Sequence, residues 1–120
     1  LLRHYQQAAI FVYPSLAEQG ETFGLAPLEA MACGAVPIVS DLACFRDFIT
    51  PGVNGLVFNH RAAEAPALLA HQILDVSSGS RQREAMSQAA LGVRQSHHPA
   101  AIANDFLRCF EEMIQPCPSA

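Results

Sequence analysis

The sequence predicts an α/β fold in which short parallel strands alternate with helices and the C-terminal end is helical. Three observations carry this. The runs Ile10–Tyr13, Val36–Ser40 and Leu56–Phe58 are short and apolar, and Pro, Gly or polar residues bound them, as expected of strands buried on both faces of a parallel sheet. A helical stretch lies between the first two runs. After residue 58 only helical periodicity remains. Strand and helix alternating in this order make right-handed β-α units, one side of a doubly wound sheet. Three strands are few for such a sheet, so further strands are expected upstream. The opening Leu1-Leu2-Arg3 already reads as helix interior, and the chain is expected to be a piece of a longer protein.

Each element has its own signals. Leu1 to Ala9 places Leu1, Leu2, Tyr5 and Ala8 or Ala9 on one helical face. Pro14-Ser15 stops the first strand, and residues 15 to 24 form a polar, Gly-containing loop. Leu25 to Cys33 is helical, with Pro27 tolerable only in the first turn and Gly34 as the stop. Pro37 limits the second strand near its start. A short helix is expected over Ala43 to Ile49, and Pro51-Gly-Val-Asn-Gly55 is a turn cluster. Three helices then follow. The first spans about Ala62 to Val76, with a stripe of Ala65, Leu68, Leu69, Ile73 and Val76. The second spans Ser80, a candidate N-cap, to about Arg94, with Met86, Ala90 and Val93 aligned. The third spans Pro99 to Ile114, aligning Ile102, Phe106, Phe110, Met113 and Ile114, with Pro116 and Pro118 beyond it.

Composition excludes several classes. Hydrophobic residues are 51% and charged residues 15%, which is globular rather than disordered. A net charge of −4, with all seven basic residues scattered arginines, argues against nucleic acid as a partner. No apolar run approaches the ~20 residues that span a bilayer. Cys33, Cys44, Cys109 and Cys117 form no CxxC pair and have no His at metal spacing. They are expected to be buried reduced thiols in a cytoplasmic protein rather than a disulfide or zinc site. No GxGxxG follows a strand, so a dinucleotide oxidoreductase is disfavoured.

Chemistry is expected in the loop from Ser15 to Gly24, since ligands of open α/β sheets sit beyond the carboxyl ends of the strands. The loop ends at a helix N-terminus, where the amides of Phe23, Gly24 and Leu25 lack intrahelical partners and the helix dipole favours an anion such as a diphosphate. Gly24 would let the backbone come close to it. Glu29 is the only charged residue between Thr22 and Ser40. Its two oxygens suit the adjacent hydroxyls of a ribose, and Glu21 can accept from a sugar on the other side of the diphosphate. The plainer alternative is that both glutamates only complement the helix dipole, worth about 0.3–1 kcal/mol.

Residues 10 to 58 resemble the signature region of the retaining glycosyltransferases called group 1 or family 4. The motif Glu21-Thr-Phe-Gly-Leu25, then Glu29-Ala-Met-Ala-Cys-Gly34, matches the family's acidic-x-Phe-Gly-Leu and Glu-Ala-Met-Ala-x-Gly pattern, with one extra residue before Pro37. Pro14-Ser15 and Gly52-Val-Asn-Gly55-Leu-Val also fit. The family has two Rossmann-like domains facing across a cleft, the GT-B architecture. The resemblance implies that residues 1–120 are part of the C-terminal nucleotide-sugar-binding domain. Upstream strands and an N-terminal acceptor domain, this chain's partner across the cleft, would lie elsewhere. It further implies that Glu29 binds the ribose, that Glu21 contacts the donor sugar and supports the transition state, and that Phe23, Gly24 and Leu25 bind the donor through their amides. The substrate would be a nucleoside-diphosphate sugar, with no metal or other cofactor. A cytoplasmic site is implied, with room for peripheral association of the intact protein at the inner face of the membrane.

Departures from the family pattern matter too. Many members carry Gly-Gly and Glu after the second strand, where this chain has Ala43-Cys44 and Asp47, a run similar to mannosyl-type members. The family's diphosphate-gripping Arg and Lys lie upstream of the matched stretch. An epimerase or phosphorylase of the same architecture, or a non-catalytic module binding through exposed helices, are the alternative readings. Arg46 and Asp47 either pair locally or face the cleft. His97-His98, Arg3, Arg81, Arg83 and Arg94 read as solvated. The stripe from Ile102 to Ile114 is either core or, by the resemblance, a seam with the other domain.

Overall fold

A computed structural model describes residues 1–114; Pro116, Cys117 and Pro118 lie outside the described residues. Helix α1 (Leu2–Gln7) precedes strand β1 (Ile10–Tyr13). Helix α2 (Leu25–Ala32), strand β2 (Val36–Ser40), a 3-10 turn (Ala43–Asp47) and strand β3 (Leu56–Phe58) follow. Helices α3 (Ala65–Ser78), α4 (Ser80–Ala90), α5 (Val93–Ser96) and α6 (Pro99–Ile114) complete the chain. The fold is α/β as expected. The three strands form one parallel sheet in the order β1-β2-β3, with Val12 opposite Ile38 and Ile38 opposite Leu56.

β2 is the centre of the sheet, and all five of its residues are buried. Its side chains alternate between two cores. Val39 joins Met31, Phe45, Phe48, Ala90 and Val93 on one face, while Val36 and Ile38 join Phe58, Val76 and Met86 on the other. Helices therefore cover both faces, as a parallel sheet requires. β1 departs from the expectation of full burial: it is half-buried along its length because it has a strand neighbour on one side only.

Pro37 sits within the central strand, where a missing N–H is normally excluded. The register explains it, because β3 pairs with β2 only from Ile38 onward. Gly55 then covers the proline ring, and a Cβ there would lie 2.6 Å from Pro37 Cγ. Helix α2 stops where Gly34 adopts φ 88°. The Gly34 amide donates to the Met31 carbonyl at 2.9 Å and the Ala35 amide to the Ala30 carbonyl at 3.0 Å, the Schellman closure.

Several boundaries differ from the sequence reading. The helix expected over residues 43 to 49 is a 3-10 turn. The helix expected from Ser80 to Arg94 breaks at Leu91-Gly92, where Gly92, Arg94 and Gln95 donate to carbonyls three residues back. Met86, Ala90 and Val93 are nonetheless all buried, Met86 in one core and Ala90 and Val93 in the other. Ser80 is the first residue of α4 rather than its cap; Gly79 occupies the cap and accepts from the Arg83 amide. Arg83 is not solvated, since its guanidinium donates to the carbonyls of Val76 and Ser77 and closes the end of α3.

Cys33 and Cys44 are half-buried and Cys109 is exposed, all three unbridged; burial was the wrong expectation. In α6 no residue is buried, so the stripe from Ile102 to Ile114 is not core of this chain. Leu68 of the α3 stripe also stands at the surface. No helix among the described residues is long and apolar enough to cross a membrane.

Candidate functional site

β1 delivers the chain to the carboxyl edge of the sheet at Tyr13. The Tyr13 hydroxyl donates to Glu21 Oε2 at 2.7 Å, and its ring meets the edge of Phe45 with centroids 5.9 Å apart. Glu21 is thus held from below by the strand it follows. Accepting that proton, together with burial and the glutamate charge, raises the tyrosine's pKa above its usual 10.0. The half-buried site keeps the pair in place: Phe45, fully buried, supports the tyrosine ring.

Phe45 also decides the backbone of Gly24. The glycine has φ 84° and ψ 58°, a left-handed conformation, and a Cβ on it would run into the Phe45 ring. Glycine is demanded here by packing behind the helix start, a reason the sequence reading did not give. Phe23 packs inward against Phe48, with centroids 5.4 Å apart, and against His97 at 6.1 Å. His97 is therefore half-buried among aromatics rather than solvated, with Nδ1 bonded to the Ser96 hydroxyl. With the Phe23 side chain committed to the core and Leu25 exposed, the groups these residues can offer a ligand are their amides.

Those amides are free. Among the described residues, Thr22, Phe23, Gly24, Leu25 and Ala26 find no backbone or side-chain acceptor, and the next position is Pro27, which has no N–H. The first turn of α2 contains no acidic side chain to neutralise its positive end. The five residues Thr22 to Ala26 can therefore hold an anion.

Glu29 projects from the second turn of α2, about 6 Å along the axis from the helix start at the standard rise. It is exposed, and with Ala32 it lines two open cavities of about 410 and 420 Å³. Tyr5 lines the first and is buried; burial and the Glu29 carboxylate beside it push its phenol pKa up. Arg94 and His97 line the second. Arg94 is exposed, as expected, and also donates from Nε to the Ala32 carbonyl at 2.6 Å, tying α5 to the end of α2. The structure thus places Glu21 and Phe23–Leu25 at the sheet's carboxyl edge, with Glu29 one turn further along the same helix.

Other polar residues gather at the carboxyl ends of the strands, and spacing gave no sign of them. Glu18, in the β1–α2 loop, takes Arg61 Nη2 on Oε2 at 2.6 Å and His60 Nε2 on Oε1 at 2.9 Å. Arg61 Nη1 donates to the Asp41 carbonyl at 3.0 Å. Arg46 pairs locally with Asp41 at 3.0 Å, which settles its two expected roles; Asp47 is exposed, with no ion pair among the described residues. Glu18 and its partners are more than forty residues apart, so only the fold brings them together.

Comparison with known proteins bears on the family. Residues 1–92 match the family described as glycosyl transferases group 1. A D-inositol 3-phosphate glycosyltransferase of Geodermatophilus obscurus is 36% identical over 87 residues, 68% of this chain and 18% of the relative. One of the same name from Frankia alni is 28% identical over all 120 residues, 28% of the relative. The chain spans less than a third of the length of these curated relatives. Its three parallel strands with helices on both faces fit the C-terminal part of a Rossmann-like GT-B fold. With the family pattern covering more than three-quarters of its length, the chain belongs to the group 1 glycosyltransferases.

Proposed function

We propose that this chain is the donor-binding part of a retaining glycosyltransferase, which moves a sugar from a nucleoside-diphosphate sugar to an acceptor hydroxyl. The observation that carries the reading is the row of unpaired amides from Thr22 to Ala26 at the start of α2, with no acidic residue in the first turn. Those amides take the diphosphate. Glu29 accepts from both ribose hydroxyls, and Glu21, fixed by Tyr13, faces the transferred sugar.

In the reaction the bond from the anomeric carbon to the diphosphate oxygen breaks, and a bond to the acceptor oxygen forms on the same face. The departing diphosphate takes the acceptor's proton. Charge grows on the leaving group as the bond lengthens, so amide donors fixed in advance stabilise the transition state more than the ground state. Glu21 offsets the positive charge developing on the sugar. No metal enters this scheme.

Residues 1–120 form part of the C-terminal domain, and the basic groups and acceptor surface come from the rest of the protein. The protein works in the cytoplasm, with the inner face of the membrane open to it. Nucleic acid is not a partner.

Titration calorimetry of the complete polypeptide with UDP and GDP tests the reading. One of them binds, and Glu29→Ala weakens it about 10- to 100-fold, the range for hydrogen bonds to a charged group. Glu21→Ala lowers kcat more than it raises donor KM. Absence of binding to either nucleotide would overturn the reading, as would unchanged kinetics in both variants.

A further inference from the structure

The loop of residues 14–24 carries Glu21 but has little of its own to hold it. Pro14 and Leu16 to Gly20 are exposed, and its internal bonds are three: the Ala17 amide to the Ser15 hydroxyl, the Glu18 amide to the Leu16 carbonyl, and the Glu21 amide to the Ala17 carbonyl. Such a segment fluctuates unless it is tied from outside. It is tied from outside at two places: Tyr13 holds the Glu21 carboxylate itself, and Glu18, three residues earlier, is held by residues beyond the other strands. Both Glu18 carboxylate oxygens are occupied by residues that follow β3, and Arg61 reaches on to the Asp41 carbonyl that follows β2. One guanidinium thereby links the carboxyl ends of all three strands.

We propose that Arg61 and His60, acting through Glu18, are positioning residues for the loop that presents Glu21; this rests on the donor-binding reading above. The two partners divide the work. His60 has a nearly buried side chain, 4% exposed, and a carboxylate can only accept, so Nε2 donates to it. Its Nδ1 is buried with no partner, which leaves Glu18 as the ring's one polar link among the described residues. Arg61 is itself oriented, because its amide donates to Asn59 Oδ1 at 3.1 Å. Hydrogen bonds from Arg61 and from His60 hold the Glu18 carboxyl below its ordinary range, so Glu18 is ionised at neutral pH.

Isolated exposed ion pairs contribute little to global stability. This one acts on placement instead. A shift of about 1 Å at a catalytic group can cost 100-fold in rate, so a clamp that adds little to folding still matters to turnover.

The test uses the complete polypeptide, with UDP-glucose and GDP-mannose as donors and native-state amide exchange as a second readout. Arg61→Ala and Glu18→Ala each raise exchange at residues 16–24 and leave β2 unchanged. They lower kcat roughly tenfold or more, with a smaller change in donor KM, because Glu21 acts in the transition state. Arg61→Lys recovers part of the loss, and the swapped pair Glu18→Arg with Arg61→Glu is better protected than either single change. Unchanged loop exchange overturns the proposal, as does altered exchange with kcat intact, or a swap no better than its single variants. Should the wild-type protein bind neither nucleotide, the donor-binding reading falls, while loop exchange in the same variants still decides whether the clamp holds the loop.

Discussion

Helices α3 and α6 have the same kind of sequence and opposite fates. Each carries an apolar stripe at helical spacing. In α3, Val76 is 2% exposed and Ala65, Leu69 and Ile73 pack with it against Ile38 and Phe58 of the sheet. In α6, Phe106 is 60% exposed and Met113 79%, and no residue is buried. Periodicity says that a face is fit to be covered; it does not say that this chain covers it. The overall shape records the difference. A radius of gyration of 17.3 Å exceeds the about 14 Å of a compact domain this long.

This contrast can be broken by substitution, beginning with the packed part. Met86→Ala, on α4 against the sheet, is expected to cost about 2–5 kcal/mol in denaturant unfolding, the range for truncating a buried methionine. A loss under about 1 kcal/mol would mean that the face of β2 toward α3 and α4 is loosely packed. Gly24→Ala comes next, at about 1–3 kcal/mol for a left-handed residue, raised further by its collision with Phe45. Adding Phe45→Leu should return part of that loss, and no recovery would contradict the packing explanation of this glycine.

Tyr13→Phe is smaller, about 1 kcal/mol for one hydrogen bond. Its pH dependence has a definite sign. The phenol's pKa is raised in the folded state, so the stabilisation is fully present below pH 10.0 and is lost as pH rises through the folded value. Absorbance titration should show both tyrosines ionising above 10.0 in the folded protein, with only Tyr5 left in the variant. The smallest effect belongs to α6. Phe106→Ser with Phe110→Ser should change the stability of this chain by less than about 0.5 kcal/mol each. A large loss there would erase the distinction between the two helices.

Much of the sheet was legible because its signals are local. Three apolar runs set the strands, Gly34 set the stop of α2, and the β-α order set the parallel topology. The break at Gly92 was not, because the spacing of Met86, Ala90 and Val93 along the sequence shows no interruption there. At the site, the helix start followed from Pro27, which fits only a first turn, and the free amides followed from the helix start. Tyr13 had one usable clue: a tyrosine at the carboxyl end of a strand has a polar tip that needs a partner. The clamp of Glu18 by His60 and Arg61 had none, since pairs more than forty residues apart leave no pattern in a single sequence.

The diphosphate site proposed above is the start of α2. Amide chemical-shift mapping of this 120-residue chain during addition of UDP and GDP addresses it most directly, since it detects the weak binding expected without the rest of the protein. The largest shifts are expected at the amides of Phe23, Gly24 and Leu25, reduced in Glu29→Ala, with no sugar transfer by this chain alone. Shifts confined to other surfaces, with those three amides unmoved, would contradict the proposal.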